Sequence, residues 1–407
     1  MSHNPGERKI IAVTMISHFL VHVCELSFPA VAVLVAQDLM GSAAAYKQVG
    51  FAYFIAALIF GVMALPAGFL SDLLGHRRVL LVFLFGSGLS LILIGLSKNY
   101  AMLVVSLGLM GGFIGLYHPA GVSLLSLGTS KHGSSMGIHG VGGNFGLAIS
   151  PFLTSALAVS LGWRGAFSVL GILPLAFGLW VLFDRSIVIT ETTQENIAND
   201  NGGGKKFILA PLLVLSIITI LNGMCYRGFT AFLPAYFDAR LKGGLIPGFS
   251  ALLQAGSFTT IVLVVGMLGQ FLGGKLADRF NKESIYAAAF LLAAPFLFLL
   301  SRLQGMTLVL SAMTFAFFYF ANQPVANAIL PRYVSRKLRG RIYGWFFFIN
   351  FGAGSIMSWI AGIIAERLNL ASIFVLLAAI LFLAGAFGIL LIYSSRMVGK
   401  AANPAGC

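Results

Sequence analysis

The stretch IIAVTMISHFLVHVCELSFPAVAVLVA, Ile10 to Ala36, governs the reading of the whole chain. It is long enough to cross a bilayer, whose apolar core takes about 20 helical residues, yet it carries three ionisable side chains. His18, His22 and Glu25 stand at i, i+4 and i+7, which on a helix places them within roughly 60° of one another. A carboxylate at bilayer depth is expensive, so this polar stripe is expected to face the protein interior or a water-filled cavity. Pro29, four residues beyond Glu25, removes a backbone donor and is expected to bend or loosen the helix just past the stripe. The stripe is the leading candidate for part of a substrate or proton site.

Composition agrees with a membrane protein. Of 407 residues, 58% are hydrophobic and 9% charged, with a mean hydropathy of +0.94; soluble domains carry about 25% charged residues. The net charge of +14 would suggest nucleic acid in a soluble protein, but here the basic residues fall in short loops, which the positive-inside rule explains. Cys24, Cys225 and Cys407 have no metal-type spacing, so neither a disulfide framework nor a zinc site is indicated. The first apolar run is too long for a signal sequence and is expected to remain as a spanning helix.

Apolar runs bounded by charge, Gly or Pro give twelve expected spans, at 10–36, 48–70, 79–97, 101–128, 135–160, 165–183, 207–236, 250–277, 285–303, 306–331, 342–364 and 370–395. The fold class is therefore an all-α integral membrane protein. One long polar segment, containing ETTQENIANDNGGGKK, separates the sixth span from the seventh. It reads as a flexible linker over 185–206 between bundles at 1–184 and 207–407. With an even number of spans, 18 of the 26 Lys and Arg collect on the side holding the termini and the linker, so that side is expected to be cytoplasmic and the membrane to be the cell membrane.

The halves repeat one another. GFLSDLLGHRR at Gly68–Arg78 is echoed by GKLADRFNKE at Gly274–Glu283, GSSMG at Gly133–Gly137 by GRIYG at Gly340–Gly344, and NFG at Asn144–Gly146 by NFG at Asn350–Gly352. Matches at nearly one offset, 206 residues for Asp72 and Asp278, indicate two homologous six-helix halves related by a parallel repeat. Gly68-x-x-x-Asp72-x-x-Gly75-His76-Arg77 resembles the loop signature between helices 2 and 3 of the major facilitator superfamily. Gly274-x-x-x-Asp278-Arg279 is its echo, with Asn281 in place of the second Gly. The resemblance covers the whole chain and implies the major facilitator fold. Gly68 is expected to allow close helix approach, Asp72 to cap the third helix, and Gly68, Asp72, Gly75, Arg77, Arg78, Gly274, Asp278 and Arg279 to gate or brace the halves rather than bind substrate. SHFLVH at Ser17–His22, YHPAG at Tyr117–Gly121 and GVGGNFGLAISP at Gly140–Pro151 are similar to the fosmidomycin-resistance type of exporter. That type implies an acidic residue near position 22; here His22 takes the place and Glu25 follows one turn on. Gly137, Gly146, Ser150 and Pro151 resemble the fifth-helix motif of proton-coupled antiporters, in which Gly is usual at the positions of Ser150 and Thr154.

Four histidines, His18, His22, His118 and His139, fall inside expected spans. Imidazole titrates near neutral pH and can accept and release a proton as its exposure changes. Glu25 is the only acid within any expected span, and Glu25 with His22 forms the candidate proton-coupling pair. A purely structural Glu–His bond is the alternative. Arg227, in the seventh span, stays charged at any physiological pH and needs an anion, either Glu25 or the substrate. With Arg227, the candidate substrate contacts are His18, His118, Tyr117, His139 and Asn144 in the first half, and Asn222, Tyr226, Asn322, Gln323, Asn327 and Asn350 in the second. Asn bonds that merely hold helices together are the alternative for these amides. Pro119 and Pro324 are expected to break the fourth and tenth helices. Gly142, Gly143 and Gly146, sharing a face with His139, read as a surface for tight helix contact rather than a phosphate site. The chain lacks a nucleotide-binding Gly-x-x-x-x-Gly-Lys-Ser/Thr run, which argues against ATP-driven transport.

The expected function is secondary active transport by alternating access, as proton-coupled export of a small anionic or polar organic compound, by a monomer that needs the lipid bilayer, protons and a small solute but no cofactor, metal or nucleic acid. Proton-coupled uptake of an organic anion is the nearest alternative. His18, His22, Glu25, His118 and His139 could instead ligate a divalent transition metal as cargo, although only His18 and His22 have a helical ligand spacing. An intramembrane metal hydrolase is a further alternative that lacks a His-Glu-x-x-His run, and a transporter-like sensor is another, without an attached signalling domain.

Overall fold

The computed structural model describes residues 5–184, 209–241, 245–334 and 339–402. The linker expected over 185–206, the loop cations Lys242, Arg336 and Lys337, and Cys407 lie outside them. Among the described residues there is no strand, as expected where water cannot satisfy the backbone and each segment must bond its own N–H and C=O groups. Before the linker come α1 (Pro5–Met40), α2 (Tyr46–Leu74), α3 (His76–Gly95), α4 (Tyr100–Gly115), α5 (Tyr117–Gly128) and α6 (His132–Phe183). After it come α7 (Leu209–Arg240), α8 (Ala251–Arg279), α9 (Lys282–Leu300), α10 (Gly305–Phe320), α11 (Asn322–Ile329), α12 (Arg339–Phe347), α13 (Ile356–Arg367) and α14 (Leu370–Ala402).

Eleven runs among the described residues are long and apolar enough to cross a membrane. The 52-residue α6 is interrupted at Gly162, whose φ of 70° is open to glycine and strained for other residues. Its two limbs are the fifth and sixth expected spans. The two proline breaks fall where they were expected. Leu116 separates α4 from α5 just before His118 and Pro119, and Ala321 separates α10 from α11 just before Pro324. By contrast α1 passes through Pro29 without interruption, since one missing donor can be absorbed when neighbouring helices enclose the segment. A third irregularity was not foreseen: a π-helical turn at Phe348–Gly352 and a 3-10 turn at Ala353–Ser355 join α12 to α13.

The chain divides into two compact units, Met1–Gly203 with Leu233–Thr260 and Gly204–Phe232 with Ile261–Cys407. In the first, small residues let α6 lie against α1. A β-carbon at Gly146 would strike the Phe19 carbonyl, one at Gly142 the Met15 backbone, and one at Gly143 the His18 ring. In the second unit the same device appears where Gly223 of α7 meets the Asn350 carbonyl. Cys24 and Cys225 are buried free thiols, packed as small apolar residues.

The loop signatures need correction in three respects. Gly68 has nothing within 4 Å of where a β-carbon would lie, so it does not mediate close helix approach. Asp72 is exposed and α3 starts without a side-chain cap bond, because α2 continues to Leu74 and carries Asp72 in its own last turn. Arg77 does not stay in the loop: its Nη2 donates to the carbonyls of Val181 (3.0 Å), Leu182 (2.9 Å) and Asp184 (3.2 Å), closing the end of α6. Lys9 pairs with Asp184 at the same end. Asp278 and Arg279 are exposed on the last turn of α8.

Helices extend past their expected limits, so Glu25 is not the only acid within them. α9 begins at Lys282 and takes in Glu283, fully buried, whose carboxylate receives Arg332 Nη1 at 2.7 and 2.9 Å and the Tyr333 hydroxyl at 2.8 Å. Burial first, and then the adjacent carboxylate, push the Tyr333 phenol above its ordinary range, which keeps it a donor.

Two measurements check this packing. Gly146→Val is expected to lower the detergent-solubilised protein's Tm by several degrees, overpacking costing about 1–3 kcal/mol, whereas Gly137→Ala, with open space around it, leaves Tm unchanged. Tyr333→Phe is expected to destabilise by about 1.5–3 kcal/mol, the worth of a hydrogen bond to a charged group; an unchanged unfolding midpoint would mean that Glu283 does not depend on this phenol.

Candidate functional site

The stripe on α1 becomes one edge of a polar cluster inside the first unit. His22 Nδ1 lies 2.6 Å from Glu25 Oε2, and Glu25 is 2% exposed. His22 Nε2 lies 3.2 Å from His18 Nε2. His18 Nδ1 in turn donates to the His139 carbonyl at 3.0 Å. These contacts form a continuous line from the Glu25 carboxylate to the backbone of α6.

The break between α4 and α5 delivers two more expected residues. Tyr117, at the start of α5, donates its hydroxyl to the Thr14 carbonyl of α1, and its oxygen lies 3.5 Å from His139 Nδ1. His118 meets His18 edge-on with ring centroids 5.1 Å apart and stands 5.5 Å from His22. The His139 ring stacks on His18 at 4.2 Å. Gly143 makes room for the His18 ring, so the close approach of α6 and the polar cluster depend on the same glycine face. Asn144 is part-buried on α6.

A second polar group assembles in the other unit. Asn222 Nδ2 donates to Asn350 Oδ1 at 3.0 Å, Asn322 Nδ2 to Asn222 Oδ1 at 3.3 Å, and the Tyr319 hydroxyl to the Asn222 carbonyl at 2.9 Å. Arg227, one helical turn past Gly223, is 1% exposed. Its guanidinium lies 5.4 Å from the ring centres of both Tyr226 and Phe351, the reach of a cation–π contact. Asn322, Asn222, Tyr226, Arg227 and Asn350 are thus brought together, while Gln323 and Asn327 are exposed. The π-turn carries Asn350 and Phe351 into this group.

For a metal, His18, His22 and His118 offer one ring nitrogen each, lying within 4.8 Å of one another. Glu25 and His139 act behind them, on the Nδ1 atoms of His22 and His18. Sequence reasoning missed Tyr319 and Phe351, which look like ordinary aromatic residues of apolar spans. Arg164 pairs with Asp38 at 2.5 Å and lies over Trp163, and these residues with Leu34, Gln37, Leu161 and Gly162 line a separate cavity of about 660 Å³.

The comparisons with known proteins agree with this architecture. The sequence matches the family model for the Major Facilitator Superfamily over residues 14–254 and 248–406. It is similar to the probable sulfoacetate transporter SauU of Cupriavidus necator, 24% identical over 293 residues, covering 68% of this chain and 66% of that protein. It is likewise similar to the fosmidomycin resistance protein of Escherichia coli, 24% identical over 298 residues, covering 69% of this chain and 68% of that one. The matched stretches span about two thirds or less of the leading relatives' own length, 61% for one from Bacillus subtilis. The fold is similar to a bacterial homolog of the human lysosomal transporter Spinster, solved in an inward-facing, occupied conformation, with a TM-score of 0.79 at 15% identity, covering 97% of this chain and 98% of that one. The chain belongs to the Major Facilitator Superfamily and is a multi-pass membrane protein.

Proposed function

We propose that the protein exports a small anionic or polar organic compound in exchange for protons, by alternating exposure of its site to the two sides of the cell membrane. The observation that carries this reading is Arg227, a permanent cation buried to 1% exposure with the rings of Tyr226 and Phe351 beside it. A guanidinium cannot shed its charge by deprotonation, so such a site favours an anionic group in the cargo. Sulfoacetate, in the name of one relative, carries a carboxylate and a sulfonate; the resistance named in another supports export.

Glu25 and His22 are the proton-coupling pair in this reading. Their 2.6 Å contact can pass a proton between carboxylate and imidazole without breaking. His118, Tyr117, His139, Asn144 and His18 supply polar surface in the first unit, and Asn222, Tyr226, Asn322, Gln323, Asn327 and Asn350 in the second. Gly75, Arg77 and Arg78, with Gly274, Asp278 and Arg279, brace the cytoplasmic helix ends, and the termini and the linker lie on that side. The functional particle is a monomer of two six-helix halves, 1–184 and 207–407.

A ligand-stabilisation screen with organic anions, sulfoacetate among them, at two pH values tests the anion assignment. Anions are expected to raise Tm, and Arg227→Ala to weaken the best of them at least about 30-fold, the factor for about 2 kcal/mol at a buried charge contact. Stabilisation by cations alone, or a shift that survives Arg227→Ala, contradicts it. Glu25→Gln tests the coupling: in proteoliposomes, exchange of substrate is expected to persist while proton-driven accumulation stops, and uphill transport at the wild-type rate would remove Glu25 from that role.

A further inference from the structure

The line of contacts from Glu25 to the His139 carbonyl constrains where its hydrogens are. A carbonyl oxygen only accepts, so the hydrogen in the His18 Nδ1 contact at 3.0 Å belongs to His18. A neutral His18 then presents a bare lone pair at Nε2. That lone pair lies 3.2 Å from His22 Nε2, so a hydrogen must sit between the two nitrogens, since two lone pairs facing each other at this distance repel. At its other side His22 shares a further hydrogen with Glu25 across 2.6 Å.

His22 and Glu25 therefore hold two hydrogens between them, as imidazolium and carboxylate or as imidazole and carboxylic acid. In either form the set His18, His22 and Glu25 has no net charge, one proton more than two neutral imidazoles and a carboxylate. We infer that the described structure is the proton-loaded state, and that the transported proton is held in an N–H···N bond between His22 and His18. His18 thereby joins Glu25 and His22 as a proton partner rather than a substrate contact: Glu25 balances the charge through the second hydrogen it shares with His22, and the His139 carbonyl is a positioning group that fixes the His18 ring. This inference rests on the proton-coupling reading above and deepens it. On release the proton leaves His22 Nε2 for water, its bonding pair stays on the nitrogen, and the His18–His22 contact opens. Because His18 is bonded to α6, the opening is felt at the α1–α6 seam.

The groups around the pair come from α1, α5 and α6, with aromatic rings of α2 and α3 behind them. α1 itself contributes Glu25, α5 contributes His118 and Tyr117, and α6 contributes His139. From α2 come Phe60, against His118, and Tyr53, against Phe28 one turn beyond Glu25; from α3 comes Phe83, against Tyr117. A metal ion is the rival occupant. The three ring nitrogens lie within 4.8 Å of one another, and the metal outcome of the test below decides between the two occupants; the His18–His22 distance of 3.2 Å is already that of a hydrogen bond.

The test uses the full chain in lipid bilayers with both histidine ring nitrogens labelled with nitrogen-15. At about pH 6, near the ordinary histidine value, a nitrogen–nitrogen coupling is expected between two Nε2 atoms, assigned by its loss in His18→Asn. Raising the wild type to about pH 9 is expected to abolish it, and this arm needs no variant to fold. Absence of the coupling at both pH values overturns the inference, as does stoichiometric bound metal whose chelation changes the histidine signals. The two readings fail separately: a missing coupling with proton-driven transport still lost in Glu25→Gln removes only the shared proton, whereas a coupling present with uphill transport intact in Glu25→Gln removes the coupling role of this site.

Discussion

Inside a bilayer, a polar group has to find its partner within the protein. That constraint explains why among the described residues there are helices and no strands, and why the first helix is organised as it is. Glu25 and the two histidines on its face cannot be offered to lipid. They are satisfied by one another and by α6, whose glycines bring the His139 carbonyl within reach of His18, while the break before α5 brings Tyr117 and His118 beside them. Each of these features would be a defect alone; together they hold a carboxylate at 2% exposure.

The two units solve related problems with different chemistry. The first gathers titratable rings around a carboxylate. The second gathers amides and aromatic rings near a guanidinium that keeps its charge. A transporter that couples two fluxes needs one element whose charge changes and one whose charge selects, and the division of residue types suits that need. Both NFG segments lie at a tight helix contact: Gly146 meets α1, and Asn350 meets Gly223 of α7.

Much of this was legible in the sequence because membrane constraints are strong and periodic. The spans, the breaks before Pro119 and Pro324, the glycine face of α6 and the shared face of His18, His22 and Glu25 follow from hydropathy, proline chemistry and helical spacing. What was not legible depended on tertiary direction. Pro29 was expected to bend or loosen α1, which runs through it as one continuous helix. Asp72 looked like a cap, but α2 runs two residues beyond it. Glu283 stood just outside an expected span, and only the packed helix shows it buried against Arg332 and Tyr333. The π-turn at Phe348–Gly352 left no composition signal at all, although it carries Asn350 and Phe351 to the Arg227 group.

The central claim is that movement of an organic anion and movement of a proton are obligatorily linked in this chain. The direct measurement is the internal pH of proteoliposomes, read from an entrapped dye, when an outward or inward gradient of a transported anion is imposed with the membrane potential held at zero. The account predicts that protons move opposite to the anion, with a rate that follows the anion flux. Anion flux with no change in internal pH would contradict it.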